Sequence, residues 1–333
     1  MRIGFYSCCV NHIEAKLWRG FHQIGVEAER YLAYKKYDYV LLFNQTAHGQ
    51  EYCYGTLDVL EDYRFAFIDC AEYGWFNRMR PNWQEEYYSA FAPGSLRNHT
   101  KNMTEQVFLL LFLQGKSFPY FLREFLVGFP YPPTYYPIDY PITVEPDMTP
   151  PDREQYLARP VDLFLSWGIS HPFRANLTEE VRQAGVRTDI NIIQDPHGGR
   201  LPYDEYVGRM ARAKATVSYD GYGISAFRES EALCRTLLFR GGVPTIQRCP
   251  LYSGVNCVEY KVIDADNGSR FMSSDIGPLV RSYLQDPERC YEMYHRGYGH
   301  GMDYYTEAAT ARYILRTLAN HDWNTPTPLL LTS

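Results

Sequence analysis

The chain has 333 residues, of which 45% are hydrophobic and 22% are charged. This length suits about two domains, and the composition is that of a folded globular protein, which excludes an intrinsically disordered chain. Thirty-three basic and thirty-nine acidic side chains give a net charge of −6, which disfavours general binding to nucleic acid or to anionic membranes.

Strands and helices alternate through the first half of the chain. The pattern predicts strands at residues 2–8, 37–44 and 64–70, and a helix at 12–25 that ends at Gly25. Residues 102–125 are predicted to be mainly helical, with an interruption at Pro119. Because the strands are continuous apolar runs, they fit a parallel sheet that helices cover on both faces. We therefore predict a doubly wound α/β domain over residues 1–150.

A segment rich in Pro and Tyr follows at residues 129–151. Proline removes a backbone donor and fixes φ, so this density of prolines excludes a regular helix and a central strand. We interpret the segment as the linker to a second domain at residues 151–333.

The alternation of strands and helices resumes after this linker. Strands are predicted at residues 161–168, 188–194, 214–220, 243–248 and 257–263, and helices at 176–185, 201–213 and 225–241. The helix at 176–185 is expected to have Asn176 as its N-cap and to end at Gly185. The remainder of the chain reads as mainly helical, which makes this half a second doubly wound domain.

A glycine-rich segment between a predicted strand and a predicted helix carries the densest set of candidate binding residues. These are Tyr219, Gly221, Tyr222, Gly223 and Ser225. Glycines allow a sharp turn and the close approach of a ligand, and the free N–H groups at the start of the next helix favour an anion such as a diphosphate. We therefore expect a nucleotide here, while a plain tight turn is the structural alternative.

The same segment also fits the dinucleotide-binding motif G-x-G-x-x-A, through Gly221, Gly223 and Ala226. Arg248, at the end of the next predicted strand, would then meet a 2′-phosphate. An NADP-dependent oxidoreductase is therefore an alternative function. The position of the motif past the middle of the chain disfavours it.

A second motif follows the glycine-rich segment. It reads Arg228-x-x-Glu231-Ala-Leu and then Arg240-Gly-Gly-Val-Pro244 before a predicted strand. This motif resembles the donor-binding region of glycosyltransferases of the GT-B fold, especially the CgeB-like (spore-maturation) and exostosin-like families. The resemblance extends over residues 161–318 in the order of the elements, and includes a strand that ends at Gly168 with Arg174 after it.

The resemblance implies two Rossmann-like domains that face a cleft, with the last helix crossing back onto the first domain. It implies a glycosyltransferase that moves a sugar from a nucleotide-diphosphate sugar to an acceptor hydroxyl, with no further cofactor. Glu231 would contact the sugar or the ribose, and Arg174 and Arg228 would bind the diphosphate near Gly168. Many retaining members carry a second Glu eight positions earlier, where this chain has Gly223. Retaining and inverting routes therefore both stay open, as does a non-catalytic relative that binds a nucleotide sugar or a glycan.

The residue types suit these roles. A carboxylate can accept two hydrogen bonds from sugar hydroxyls, and a guanidinium can bind phosphate through two parallel hydrogen bonds. The alternative for Arg228 and Glu231 is an i,i+3 ion pair on a solvated helix face. Asp264-Ala-Asp266 matches a D-x-D metal motif, but its late position favours a surface turn, so we expect no metal site.

The first domain is expected to bind the acceptor, because ligands of open α/β sheets bind beyond the carboxyl ends of the strands. His12 follows the first predicted strand, and Asp69 and Glu72 lie at the end of the strand at 64–70 and just after it. Each is a candidate base for the acceptor hydroxyl if the reaction inverts; a helix-start or turn-forming role is the alternative. The acceptor is a glycan, a small molecule, a protein or a hydroxymethylated DNA base, and the net charge does not favour DNA.

The N-terminal sequence lacks the pattern of a signal peptide, and the longest apolar run is Val107–Leu113. This run is far below the roughly 18 residues that a membrane span needs. We therefore expect a cytoplasmic protein without a membrane span.

Overall fold

The computed structural model of the chain contains two parallel β-sheets. The structure describes residues 1–6, 12–32, 34–44, 63–69, 115–123, 131–145, 148–168, 172–193, 200–219, 227–241, 247–264 and 272–327. Among these residues no helix is both long and apolar enough to cross a membrane.

Six strands form the first sheet. They are β1 (Arg2–Tyr6), β2 (Glu27–Arg30), β3 (Tyr39–Asn44), β4 (Phe65–Asp69), β5 (Tyr120–Leu122) and β6 (Tyr135–Pro137). All neighbouring pairs are parallel, in the order β2-β1-β3-β4-β5-β6. Helix α1 (His12–Gln23) connects β1 to β2.

Both faces of this sheet are buried, as the continuous apolar strands predict. Phe5 and Leu41 face α1, whereas Val40 and Leu42 face a cluster of tyrosines on the other side. The strands β1, β3, β4 and β5 therefore contribute alternate residues to two cores, which requires apolar residues at nearly every position.

Five strands form the second sheet. They are β7 (Val161–Gly168), β8 (Thr188–Ile193), β9 (Ala213–Ser218), β10 (Leu237–Arg240) and β11 (Val258–Glu259), in the order β11-β10-β9-β7-β8. All pairs are again parallel. A separate antiparallel pair consists of β12 (Val262–Asp264) and β13 (Met272–Ser274). Two parallel-sheet α/β units confirm the predicted fold class.

Seven further helices are described after residue 150. They are α2 (Arg153–Leu157), α3 (Pro172–Gln183), α4 (Tyr203–Ala211), α5 (Phe227–Leu233), α6 (Ile276–Leu284), α7 (Pro287–His300) and α8 (Glu307–Asn320). A π-helical turn at Gly301–Tyr305 joins α7 to α8.

The structure corrects the prediction for residues 225–241. We predicted one helix there, but α5 ends at Leu233 and residues 237–240 form the strand β10. Leu237, Leu238 and Phe239 are fully buried because β10 lies between β9 and β11. The Gly-Gly-Val-Pro unit therefore follows a strand. Most of the strand predicted at 243–248 lies outside the described residues.

Four smaller predictions also change. Residues 120–122, predicted to be helical, form β5, and residues 135–137 of the predicted linker form the edge strand β6. Asn176 lies inside α3, which begins at Pro172, so it is not an N-cap. The strand predicted at 257–263 is split into β11 and β12.

The chain passes between the two sheets twice, and the two passages pair with each other. The N–H of Ile142 donates to the carbonyl of Tyr305 at 2.7 Å, and the N–H of Glu307 donates to the carbonyl of Ile142 at 3.1 Å. After this point α8 packs against α1 of the first sheet, through Ala311, Ile314 and others. The last helix therefore crosses back onto the first half of the chain.

Gly20 allows the close contact between α1 and α8. A Cβ atom at this position would lie 2.2 Å from the carbonyl oxygen of Glu307. We expect Gly20→Ala to lower the free energy of unfolding by about 1–3 kcal/mol, because the two helices must separate to admit the methyl group. Urea denaturation measures this change.

Gly208→Ala is the matched control, because Gly208 lies within α4 and an added Cβ meets nothing within 4 Å. This change is expected to stabilise the protein by up to about 1 kcal/mol, since alanine favours a helix more than glycine does. Equal effects of the two substitutions would show that α1 and α8 are not in tight contact.

Candidate functional site

The candidate site lies where the carboxyl ends of strands from both sheets meet. Helix α1 follows the carboxyl end of β1, and α4 and α5 follow those of β8 and β9. Side chains from these three helices influence one another electrostatically. The site is thus at the edge where open parallel sheets bind ligands.

Glu231 on α5 is the central group of the site. It is only 3% exposed, and its Oε2 atom has no hydrogen-bond partner among the residues that the structure describes. Burial raises the pKa of Glu231, while Lys16, Arg235, the Tyr203 hydroxyl and Arg228 lower it less strongly. A buried carboxylate oxygen without a partner is costly for the folded protein, so it marks a position where a ligand can supply the missing donor.

Arg228 does not pair with Glu231. Its Nη2 donates to the carbonyl oxygen of Ser166 at the end of β7, and its Nε donates to the Tyr206 hydroxyl at 3.2 Å. The guanidinium also lies 5.8 Å from the ring centre of Trp167. Because both members of the motif are buried, the interpretation as a solvated i,i+3 ion pair is wrong.

Arg174 brings together two other predicted residues. Its Nη1 donates to the carbonyl oxygen of Gly168 and its Nη2 to that of Tyr219, each at 3.0 Å. These carbonyls lie at and just past the carboxyl ends of β7 and β9. Arg174 therefore links the carboxyl ends of two neighbouring strands, and it does so at Tyr219, the first residue of the predicted glycine-rich segment.

Two cations of the site were not predicted from the sequence. Lys16 on α1 donates from Nζ to the carbonyl oxygen of Pro141 at 2.8 Å, and Arg235 donates from Nη1 to the backbone carbonyl of Glu231 at 3.0 Å. Burial lowers the pKa of Lys16, and Glu231 is the largest opposing influence. Lys16 lies four residues after His12 on the same helix. This spacing places both residues on one face of α1, so the predicted role of His12 could have pointed to Lys16 as well.

A second polar group lies at the passage between the sheets. The guanidinium of Arg248 lies 4.8 Å from the ring centre of Tyr313 and 5.8 Å from that of Tyr305. Its three nitrogens have no hydrogen-bond partner among the described residues. Burial raises the pKa of Asp139, which Arg248 opposes. An adjacent carboxylate makes this place less suited to the 2′-phosphate of NADP.

The candidate bases of the acceptor side are described only in part. Asp69 ends β4, is fully buried, and accepts a hydrogen bond from the Tyr120 hydroxyl of β5. Glu72 and the side chain of His12 lie outside the described residues. The structure therefore places Asp69 at a strand end, in contact with its neighbouring strand, and its role stays a prediction.

Several predicted binding residues also lie outside the described part of the chain. These are Gly221, Tyr222, Gly223 and Ser225. Asp266 and the side chain of Asp264, which were expected to form a surface turn, lie outside it as well. Within the described residues no group of three or more His, Cys, Asp or Glu side chains is placed to hold a metal ion.

Comparison with known proteins gives weak similarities. No protein-family model and no curated protein matches the chain. An α1,3-fucosyltransferase structure is 9% identical, with 98% of this chain and 92% of that chain covered and a TM-score of 0.48. Anabaena HepE in complex with UDP-glucose is 10% identical, with 96% of this chain and 99% of that chain covered and a TM-score of 0.48. AviGT4, a glycosyltransferase involved in avilamycin A biosynthesis, is 12% identical, with 99% of this chain and 98% of that chain covered and a TM-score of 0.49. Scores of this size carry no argument about activity, which has to rest on the site.

The raised pKa of Glu231 predicts a pH-dependent effect on stability. Ionised Glu231 destabilises the folded state by about 1.4 kcal/mol for each unit by which its pKa is raised. We expect Glu231→Gln to melt at a higher temperature than the wild type at pH 7.5. The difference should shrink as the pH falls through the raised pKa and vanish below the ordinary value of 4.5, because both side chains are then neutral.

Melting temperatures between pH 4 and pH 8 test this expectation. Glu292→Gln is the control, because Glu292 is exposed and forms an ion pair with Arg296 on the surface of α7. A Glu231→Gln variant that melts below the wild type at pH 7.5 would mean that Glu231 stabilises the fold.

Proposed function

We propose that the protein is a glycosyltransferase that moves a sugar from a nucleotide-diphosphate sugar to an acceptor hydroxyl. The observation that carries this proposal is the unpartnered, buried Oε2 of Glu231 at the carboxyl edge of the second sheet. In doubly wound folds an acidic residue at this edge typically accepts hydrogen bonds from ribose hydroxyls. The cations around Glu231 complement the diphosphate of the same ligand.

The arginines of the sequence motif support this role by shaping the floor of the site. Arg228 and Arg174 hold carbonyl oxygens at or near the ends of β7 and β9, and both stack on Trp167. Their positive charge remains close to the place where the diphosphate would lie. We propose that this charge favours the departing diphosphate from a distance, while the two guanidiniums hold the strand ends in place; the CgeB-like and exostosin-like resemblance implies a diphosphate at this position.

The reaction exchanges one bond at the anomeric carbon of the sugar. The bond to the diphosphate oxygen breaks, and the nucleoside diphosphate leaves with the bonding electrons. The acceptor oxygen bonds to the same carbon and loses its proton, either to a base on the protein or, in a retaining route, to the departing phosphate. We propose that the cationic side chains supply the positive charge for this step, so that no metal is needed.

Glu231→Ala is expected to weaken the binding of UDP or GDP roughly 10- to 150-fold. The physical reason is the loss of hydrogen bonds to a charged group, which are worth about 1.5–3 kcal/mol. Isothermal titration calorimetry in EDTA, with UDP, GDP and NADP as ligands, measures the effect. Glu292→Ala is the control and should bind as the wild type does.

The three ligands separate the competing functions. Binding of a nucleoside diphosphate, followed by its release from a nucleotide sugar during incubation, supports the glycosyltransferase. Binding without any release supports a non-catalytic relative. Tight binding of NADP alone, or unchanged affinity in Glu231→Ala, would contradict the proposal.

On the acceptor side, we propose Asp69 as the base to test first. Asp69→Asn keeps an oxygen that can accept the hydrogen bond from Tyr120, so the fold should be retained. Loss of the carboxylate is expected to lower kcat by about 10²- to 10⁴-fold with little change in donor affinity. The release of nucleoside diphosphate at saturating donor measures kcat.

Tyr120→Phe is the control for Asp69, because it removes the hydroxyl and leaves the carboxylate in place. This variant should keep most of the activity. Full activity in Asp69→Asn would remove Asp69 from the reaction and favour a retaining route, which needs no such base.

A further inference from the structure

Three groups around Glu231 have unused hydrogen-bonding capacity. Within the described part of the chain, Oε2 of Glu231 and Nη2 of Arg235 are buried and have no hydrogen-bond partner. Among the described residues, the ammonium of Lys16 makes one hydrogen bond, to Pro141, and so uses one of its three donors. Neither Lys16 nor Arg235 forms an ion pair with the Glu231 carboxylate within 4.0 Å.

The charges of this group do not balance. Lys16 and Arg235 both act electrostatically on the single carboxylate of Glu231, and Arg228 adds a further positive charge nearby. Glu307 also influences Lys16, but it is already paired with Arg19 at 2.6 Å. Among the described residues, the group around Glu231 therefore carries a net positive charge, which suits an anionic ligand with several acceptor oxygens.

The family resemblance implies that Arg174 and Arg228 bind the phosphates, but both arginines donate hydrogen bonds to backbone carbonyl oxygens. Arg174 uses both terminal nitrogens in this way, and Arg228 uses Nη2 and Nε for Ser166 and Tyr206. Arg235, by contrast, donates a hydrogen bond from Nη1, and its Nη2 has no hydrogen-bond partner among the described residues. Lys16 approaches the same carboxylate from the first half of the chain.

We propose that Lys16 and Arg235 bind the phosphate groups of the nucleoside diphosphate while Glu231 binds its ribose, an assignment that rests on the proposed function. Arg235 reaches the ligand from the second sheet and Lys16 from the first. The donor therefore contacts both halves of the chain, and its phosphates replace the solvation that the two cations lack. Arg174 and Arg228 then act as positioning residues that hold the strand ends below the ligand.

The test compares a nucleoside diphosphate with its nucleoside. Wild type, Lys16→Met and Arg235→Met are titrated calorimetrically with UDP and uridine, and with GDP and guanosine. For the diphosphate that the wild type binds, each variant should lose roughly 10- to 150-fold in affinity. Affinity for the matching nucleoside should change less than about twofold, because it carries no phosphate.

Matched controls remove the same charge elsewhere. Lys36→Met and Arg281→Met remove exposed cations from the first and second halves of the chain, and both should bind the diphosphate as the wild type does. Arg235 is only 6% exposed, so Arg235→Lys is included as a variant that keeps the charge and is expected to bind more tightly than Arg235→Met. If Arg235→Met does not fold, Lys16→Met decides the outcome.

The results distinguish this inference from the function on which it rests. A wild type that binds neither UDP nor GDP would overturn both. A wild type that binds the diphosphate, with unchanged affinity in Lys16→Met and Arg235→Met, would overturn this inference alone. Equal losses for nucleoside and diphosphate would also overturn it, because the two cations would then act on the base or ribose.

Discussion

The contact between α1 and α8 is the constraint on which the site depends. The carboxylate of Glu307 is almost completely buried there, and it accepts hydrogen bonds from Arg19, Gln23 and Thr143. Burying a carboxylate is costly unless its partners surround it, as they do here. Because Glu307 belongs to the chain that returns from the second sheet, this interaction fixes α1 relative to that sheet. Lys16, on the same helix as Arg19, is thereby held close to Glu231.

Most of the fold could be predicted because its signals are local. The strand β7 has the predicted limits, since an apolar run before a glycine is a strong strand pattern. Residues 225–241 were misassigned because the apolar residues between Ala232 and Phe239 also match a helical period, and the turn after α5 contains neither Gly nor Pro. Burial between two neighbouring strands determines the structure there, and a single sequence does not display it.

In the candidate site, too, the residues in a local sequence motif could be predicted, and those that depend on tertiary structure could not. Glu231 was found because the motif around it resembles a family pattern, and its environment is consistent with ligand binding. Lys16 was missed because its importance arises from an electrostatic interaction between distant parts of the chain, 215 positions apart in the sequence. A pattern of residue types also did not show that Arg174 would donate to backbone carbonyls. The type of a residue indicates what it can bind, whereas its neighbours determine which of its donors remain open.

The unused hydrogen-bond donors and acceptors around Glu231 lower the stability of the folded protein and are available to a ligand. An apolar side chain of similar size at Lys16 or Arg235 would avoid the cost of burying a cation that has open donors. An uncharged side chain in place of Glu231 would avoid the cost that its raised pKa reports. The costs at Lys16, Arg235 and Glu231 are linked, because the charge of Glu231 partly offsets those of the two cations although neither forms an ion pair with it. The arrangement is best suited to a ligand that brings hydroxyl donors and phosphate acceptors together, and a nucleoside diphosphate has both.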